Sequence, residues 1–259
     1  MNNVFSFQRF IWLFNKHTKE HYKTYLMSLT VLSGILALVL GYIALRGALD
    51  VKTQHAVFGV LLVGTGFIFT SSIFSDLGNK GKSISTLTLP VAHLERFMVA
   101  WVYSFIIFQI VFIACFCVIN NIFVGLNGFK TEAYKAASPL WGRESIYLFA
   151  LLYYCFYHAL AFLGAVLFKK AHFVKMAFTF LVFFVVLMLV NKIVAGLIFD
   201  PQVSSSSIPF SDITIIELGN HRYNLDANEW LAPVLTIITL VSTVSLWAAT
   251  YFKLKEKQV

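Results

Sequence analysis

The loop over residues 76–89 contains the part of the chain that comes closest to a nucleotide-binding motif. Gly81, Lys82 and Ser83 match the end of the phosphate-binding pattern G-x-x-x-x-G-K-[ST]. The first glycine of that pattern falls on Asp76, whose carboxylate would repel a phosphate. An apolar segment long enough for a membrane helix precedes the loop, where the motif requires a β-strand. We therefore expect no nucleotide site in this chain.

Two ionisable residues within apolar segments are weaker candidates for function. His158 lies in the stretch LYYCFYHALAF, and Lys192 follows Asn191 near the end of another apolar run. Ionisable groups inside a membrane usually have a function or a partner. His158 has no second ligand at a matching depth for haem or a metal, so we interpret it as a hydrogen-bonded residue between helices. Lys192 is close enough to a helix end for its amine to reach the interface, which we favour over a substrate contact.

No acidic residue lies deep in an apolar run, which argues against a proton- or sodium-driven transporter. The same absence argues against a catalytic dyad, and we expect no catalytic residue, metal or cofactor.

The composition predicts an all-α integral membrane protein. The 259 residues are 59% hydrophobic and only 12% charged, whereas soluble domains are about 25% charged. Six apolar runs approach the length of about 20 residues that a membrane-spanning helix needs. They cover residues 25–45, 56–75, 97–124, 145–168, 174–199 and 231–252. The net charge of +8 would suggest nucleic acid as a partner of a soluble chain, but here it fits cationic loops beside a membrane.

The distribution of Lys and Arg among the loops predicts the orientation. Thirteen of these cations fall on the side of the two termini and seven on the other side. The positive-inside rule then places both termini in the cytoplasm and the chain in the cell (inner) membrane.

The predicted organisation is an interfacial helix followed by a transmembrane domain. Residues 1–24 mix aromatic and cationic side chains, which favours an amphipathic helix in the cytoplasmic interface over a disordered arm. Residues 25–259 form the six-helix domain, with a cytoplasmic loop over 76–96 and an outer loop over 200–230. Within the outer loop we predict a short outer-face helix that Ser211 or Asp212 caps and Gly219 ends.

The cytoplasmic loop leads directly into the third apolar run. Ile84, Leu87 and Leu89 form a small apolar face, and Pro90 suits the first turn of a new helix. The pattern predicts a buried helical face that includes Leu94, Met98 and Trp101, with Glu95 and Arg96 on the solvent side. A helix of this kind would transmit a force from the loop into the membrane, although an ordinary amphipathic linker has the same pattern.

The stretch LTLPVAHLERFMVAW over residues 87–101 resembles the permease subunits of the type-2 ABC exporter family. Leu89, Pro90, Val91 and Glu95 match the family's segment before the third span, while Ala92 replaces a frequent serine. The resemblance implies six spans, an N-terminal interfacial helix and a loop that docks on a cytoplasmic ATPase subunit. The residues that it implicates in ATPase coupling are Asp76, Lys80, Lys82, Ile84, Leu87, Leu89, Pro90 and Glu95.

The function that the resemblance implies is a permease subunit that couples ATP hydrolysis by separate chains to export of a substrate. Its partners would be the ABC ATPase, a second permease copy and membrane lipids, and the chain itself would not be an enzyme. The alternative is a membrane anchor or regulatory subunit that transports nothing. An intramembrane enzyme is disfavoured because paired catalytic groups are missing.

Overall fold

The computed structural model describes residues 5–47, 49–73, 92–127, 147–168, 172–198, 204–206, 213–216, 222–225 and 231–256. Its helices are α1 (Phe7–Leu45), α2 (Val51–Ser72), α3 (His93–Trp101), a π-helical segment (Val102–Ile107), α4 (Phe108–Asn127), α5 (Tyr147–Leu167), α6 (His172–Ile198) and α7 (Leu231–Glu256). The chain divides into two compact units, Met1–Phe173 with Thr243–Val259 and Val174–Ser242.

Five helical segments in the described part of the chain are long and apolar enough to cross a membrane. They are Phe7–Leu45, Val51–Ser72, His93–Leu126, Ala150–Leu167 and Thr236–Glu256. Each of them overlaps an apolar run of the sequence, which makes the chain a multi-pass membrane protein. Helix α6 has 27 residues and covers most of the remaining run.

Helix α1 is continuous through the position where we predicted a boundary near Tyr25. Its 39 residues extend about 58 Å at about 1.5 Å per residue, compared with about 30 Å for the bilayer hydrocarbon core. The predicted separate helix over residues 1–24 and the first span are therefore one element. No glycine or proline occurs in α1 before Gly34, so nothing in the local sequence ends the helix there.

The connection between α1 and α2 is short and well defined. Gly47 adopts a φ of 69°, a left-handed conformation that favours glycine, and ends α1. Asp50 caps α2 by accepting a hydrogen bond from the Thr53 N–H at 3.1 Å. Hydrogen bonds from Thr53 hold the pKa of the Asp50 carboxyl below its usual value.

The main core of the first unit lies between α1, α2, α4 and α5. Leu36, Leu40 and Leu62 contribute fully buried aliphatic side chains. Phe58 contacts Phe112 and Phe116 edge to face, with ring centroids 5.5 and 5.0 Å apart. A second, smaller core joins Phe97 and Ala100 of α3 to α5 and to the C-terminal part of α7.

The described residues of the outer loop form strands, and one of these strands lies where we predicted a short helix. Strands β1 (Ser204–Ser206), β2 (Ile213–Ile216) and β3 (Arg222–Leu225) form an antiparallel sheet in the order β1-β2-β3. In β2, Ile213 pairs with Leu225 and Ile216 pairs with Arg222. The helix prediction is wrong over Ile213–Ile216 because the four β-branched residues there favour extended backbone. Ser211, Asp212 and Gly219 lie outside the described residues.

Candidate coupling site at the start of the third membrane helix

Glu95 closes the first turn of α3. Its Oε2 accepts a hydrogen bond from the backbone N–H of Ala92 at 3.0 Å. Ala92 is the N-cap residue and Glu95 is the third helical residue, so this is the glutamate half of a capping box. The contact satisfies a backbone donor that the helix itself leaves without a partner.

The same carboxylate binds the beginning of α1. Its Oε1 accepts a hydrogen bond from the Ser6 N–H at 2.8 Å and one from Arg9 Nε at 3.2 Å. A second guanidinium nitrogen of Arg9 lies 3.0 Å from Oε1. Glu95 has no exposed surface, and a buried carboxylate is stable only when it is paired and hydrogen-bonded. One side chain therefore joins the first turns of α1 and α3.

Burial of Glu95 corrects the predicted orientation of α3. We expected Glu95 and Arg96 on the solvent side, but Glu95 is 0% and Arg96 is 8% exposed, while Leu94 is 40% exposed. The amphipathic pattern assumed that charges face water. For Glu95, the N–H groups of Ser6 and Arg9 take the place of water as hydrogen-bond donors.

Beyond this junction, α1 packs along the π-helical segment through aromatic side chains. The Tyr103 ring stacks on Phe14 and Tyr25, with centroids 4.8 and 5.3 Å apart. Its hydroxyl is hydrogen-bonded to the Thr18 hydroxyl. We call α3, the π-helical segment and α4 together the third membrane helix. Its contact with α1 thus continues for several turns after Arg9.

The π-helical segment presents two consecutive buried residues, Tyr103 and Ser104, to different polar groups. Tyr103 contacts α1, whereas Ser104 Oγ lies 2.9 Å from His158 Nε2 of α5. Tyr154 donates a hydrogen bond from its hydroxyl to the Ser104 carbonyl at 2.9 Å. A π-helical turn breaks the α-helical ladder locally, and such turns are frequent at functional sites.

The hydrogen bonds of His158 define its tautomer. Trp247 of α7 donates its indole N–H to His158 Nδ1 at 3.2 Å, so Nδ1 must be an acceptor. Ser104 Oγ donates to the Ala100 carbonyl at 2.8 Å and can accept from His158 Nε2–H. A neutral imidazole satisfies this chain of bonds, and His158 is fully buried. The histidine joins three helices, and both of its ring nitrogens are hydrogen-bonded, which leaves neither for a metal. Among the described residues it makes no contact with an acidic side chain.

An apolar cavity lies beside the aromatic contacts of α1. Its volume is about 350 Å³, and α1, α2 and the third membrane helix line it. Leu32, Phe69, Phe108 and Val111 form much of the wall, with Tyr25 and Tyr103 bordering it. Among the described residues no group of three or more His, Cys, Asp or Glu side chains converges to hold a metal ion.

Only part of the predicted coupling site can be placed. Glu95 belongs to the junction, whereas Asp76, Lys80, Lys82, Ile84, Leu87, Leu89 and Pro90 lie outside the described residues. His158 lies in the same unit as Glu95, and Lys192 is an exposed residue of α6 in the other unit. Sequence reasoning missed Ser6 and Arg9 as partners of Glu95. Every residue except proline has a backbone N–H, so the sequence does not indicate that the one of Ser6 binds Glu95. Arg9 resembles the other cations of the N-terminal region.

No protein-family model matches this chain, and no curated protein or solved structure shows significant similarity to it.

Proposed function

We propose that this protein is the permease subunit of an ABC exporter. The resemblance of residues 87–101 to the type-2 exporter permeases motivates the proposal, and the helices of membrane-spanning length are compatible with it. In this proposal the chain provides half of a translocation pathway and a second permease copy provides the other half. Separate cytoplasmic ATPase chains supply the energy, and this chain has no catalytic activity.

The observation that supports the proposal most directly is the position of Glu95. It is the acidic residue of the family-like stretch, and it is buried where the loop over residues 76–91 enters α3. Its bonds to Ala92, Ser6 and Arg9 connect the first turns of α1 and α3. A displacement of the loop by an ATPase would therefore reach two membrane helices together.

The proposed topology has six spans with both termini in the cytoplasm. Helix α6 is the fifth span, and α1 extends from the cytoplasmic interface through the bilayer as the first. The loop over residues 76–91 then faces the cytoplasm, and the sheet β1–β3 faces the outside of the cell (inner) membrane. Lipids surround the exposed apolar side chains, such as Leu38 and Val60.

Co-purification from native membranes tests this function. The tagged chain should retain an ATP-hydrolysing partner in a fixed stoichiometry, and the chain alone should not bind ATP. Replacing Ile84 and Leu87 by aspartate places charges in a contact that must lose water, which costs several kcal/mol without a partner group. We expect the partner and transport into inverted vesicles to be lost together, while insertion of the chain is unchanged.

A matched control places the same charges on the other side of the membrane. Ser204→Asp with Ser206→Asp adds two carboxylates in β1 and should leave the ATPase partner bound. Pro90→Gly should keep the partner but loosen the connection to α3, so ATP turnover would persist after transport has fallen. Retention of both partner and transport by the Ile84→Asp/Leu87→Asp variant would refute coupling through this loop. A bound partner with no transport in the parent protein would instead identify a membrane anchor.

A further inference from the structure

We propose that α1 binds one anionic phospholipid, with the phosphate on Lys19 and Lys23 and one acyl chain in the apolar cavity beside the helix. Both lysines are exposed, and they lie four residues apart, which makes their side chains neighbours on one face of α1. The site is separate from the Glu95 junction and does not depend on the proposed transport function.

One row of side chains connects the two lysines with the cavity. Residues four apart on a helix form a ridge along its surface, and the ridge of Lys19 and Lys23 continues with Met27, Val31 and Ile35. These three apolar side chains line the cavity and are exposed. From Lys23 to Ile35 the helix rises about 18 Å, close to the depth of about 15 Å of one hydrocarbon leaflet. The ridge therefore changes from cationic to apolar where it reaches the cavity.

The two lysines carry charge that the described part of the protein does not neutralise. Lys16 forms an ion pair with Glu20 at 3.7 Å. Among the residues that the structure describes, no carboxylate lies within ion-pair distance of Lys19 or Lys23. The apolar run over residues 25–45 begins directly after them, so their ammonium groups reach the level of the lipid headgroups. A lysine in this position attracts anionic lipid with about 1 kcal/mol.

The cavity suits a hydrocarbon chain and not a polar ligand. Two hydroxyl groups of its wall already donate to carbonyls of their own helix, Thr65 to Leu61 at 2.5 Å and Ser72 to Phe69 at 2.7 Å. An apolar cavity of this kind does not retain water. A phospholipid supplies both parts in one molecule, a phosphate for the lysines and a chain for the cavity, whereas an apolar helix of a second copy would leave the lysines without an anion.

Lipid titration of the purified full-length chain in detergent, measured by native mass spectrometry, tests the charged half of the site. Palmitoyl-oleoyl phosphatidylglycerol and phosphatidylcholine have the same chains and differ in net charge. We expect one phosphatidylglycerol per chain to bind about tenfold more tightly than phosphatidylcholine. Lys19→Gln/Lys23→Gln should remove this preference by weakening phosphatidylglycerol alone. Lys253→Gln/Lys255→Gln removes two exposed lysines from the end of α7 and should leave the preference unchanged.

Filling the cavity tests the apolar half. Val31→Phe enlarges a side chain of the wall and should weaken both lipids by a similar factor. Val60→Phe is the matched control, because Val60 is exposed on α2 and does not line the cavity. Unchanged helix content by circular dichroism shows that the variants are folded.

Three results would overturn the proposal. The first is equal affinity of the parent, or of Lys19→Gln/Lys23→Gln and the parent, for the two lipids. The second is equal lipid affinity in Val31→Phe and Val60→Phe. The third is loss of self-association in Val31→Phe with no change in lipid affinity, which would assign the cavity to a second copy of the chain.

Discussion

The buried carboxylate of Glu95 accepts hydrogen bonds from three residues. Two of them, Ser6 and Arg9, lie at the start of α1, and the third, Ala92, precedes α3. Ser6 N–H, Ala92 N–H and the Arg9 guanidinium all donate to it, and each of these bonds would be weakened or lost if the acceptor changed. Arg9 is 36% exposed and can recover water, whereas the carboxylate itself has no access to water. The energetic role of the junction therefore depends mainly on the hydrogen bonds of Glu95 and less on its ion pair.

We predict that Glu95→Gln destabilises the protein by about 1–3 kcal/mol. The NH₂ group of glutamine would face the N–H donors that now bind the carboxylate, and two donors cannot form a hydrogen bond with each other. Thermal unfolding of the detergent-solubilised chain measures the effect. Glu20→Gln is the matched control, since Glu20 makes an exposed pair with Lys16 and should change stability by less than about 1 kcal/mol. Equal unfolding temperatures for the two variants would show that Glu95 is not a structural junction.

His158 illustrates the opposite case, in which an ionisable residue inside a membrane segment has a structural environment. Both ring nitrogens have partners, Ser104 and Trp247, and the ring packs on Phe105 and Phe162 with centroids 5.1 and 5.4 Å away. The arrangement joins the π-helical segment to α5 and to the C-terminal part of α7. In this environment the imidazole acts as a hydrogen-bonding bridge between helices.

At the scale of the elements, α2 and α5 approach closely at Gly66. A Cβ added there would lie 2.9 Å from a ring carbon of Phe108 and nearer still to the Tyr154 ring. Tyr154 cannot easily move away because its hydroxyl is bonded to the Ser104 carbonyl and the ring is fully buried. The packing of the helices around the π-helical segment therefore requires glycine at position 66.

We predict that Gly66→Ala destabilises the chain by about 1–3 kcal/mol through overpacking. Gly64 is the matched control in the same helix, because nothing lies within 4 Å of an added Cβ there. Gly64→Ala should be neutral or stabilising by up to about 1 kcal/mol, as alanine favours a helix. Unfolding of both variants in the same detergent compares them directly. A result in which Gly66→Ala is as stable as Gly64→Ala would contradict the close contact.

For the whole molecule, orientation in the membrane is the property on which the proposed function most depends. The asymmetry of Lys and Arg between the two sets of loops predicts cytoplasmic termini. The sheet β1–β3 would then face outward, and the loop that precedes α3 would face an ATPase. Reversal of the orientation would remove the loop from any cytoplasmic partner.

Cysteine labelling in intact cells tests this orientation. In a background without the three native cysteines, Ser205→Cys in β1 should react with a membrane-impermeant maleimide. Gly81→Cys should react only after the membrane has been permeabilised. The reverse pattern would overturn the orientation and, with it, coupling through residues 76–91.

Much of the fold was predictable from the sequence because the number and place of apolar runs depend on local composition. Five of the six predicted runs overlap helices of membrane-spanning length, and α6 covers the other. Helix α1 has no boundary near Tyr25, and the short helix predicted between Ser211 and Gly219 was wrong over Ile213–Ile216. In both places a local pattern was compatible with two structures, and continuity of the helix or pairing of strands selected one of them.

The sequence by itself determined that this is a multi-pass membrane protein, since about 20 apolar residues in a row can satisfy their backbone in a bilayer only as a helix. Only the tertiary structure decided that Glu95 is buried. Its partner Ser6 is 89 residues away in the chain, as far as Trp247 is from His158. A charged or polar side chain is buried or exposed according to the donors and acceptors that distant segments bring to it, and no periodicity within one helix contains that information.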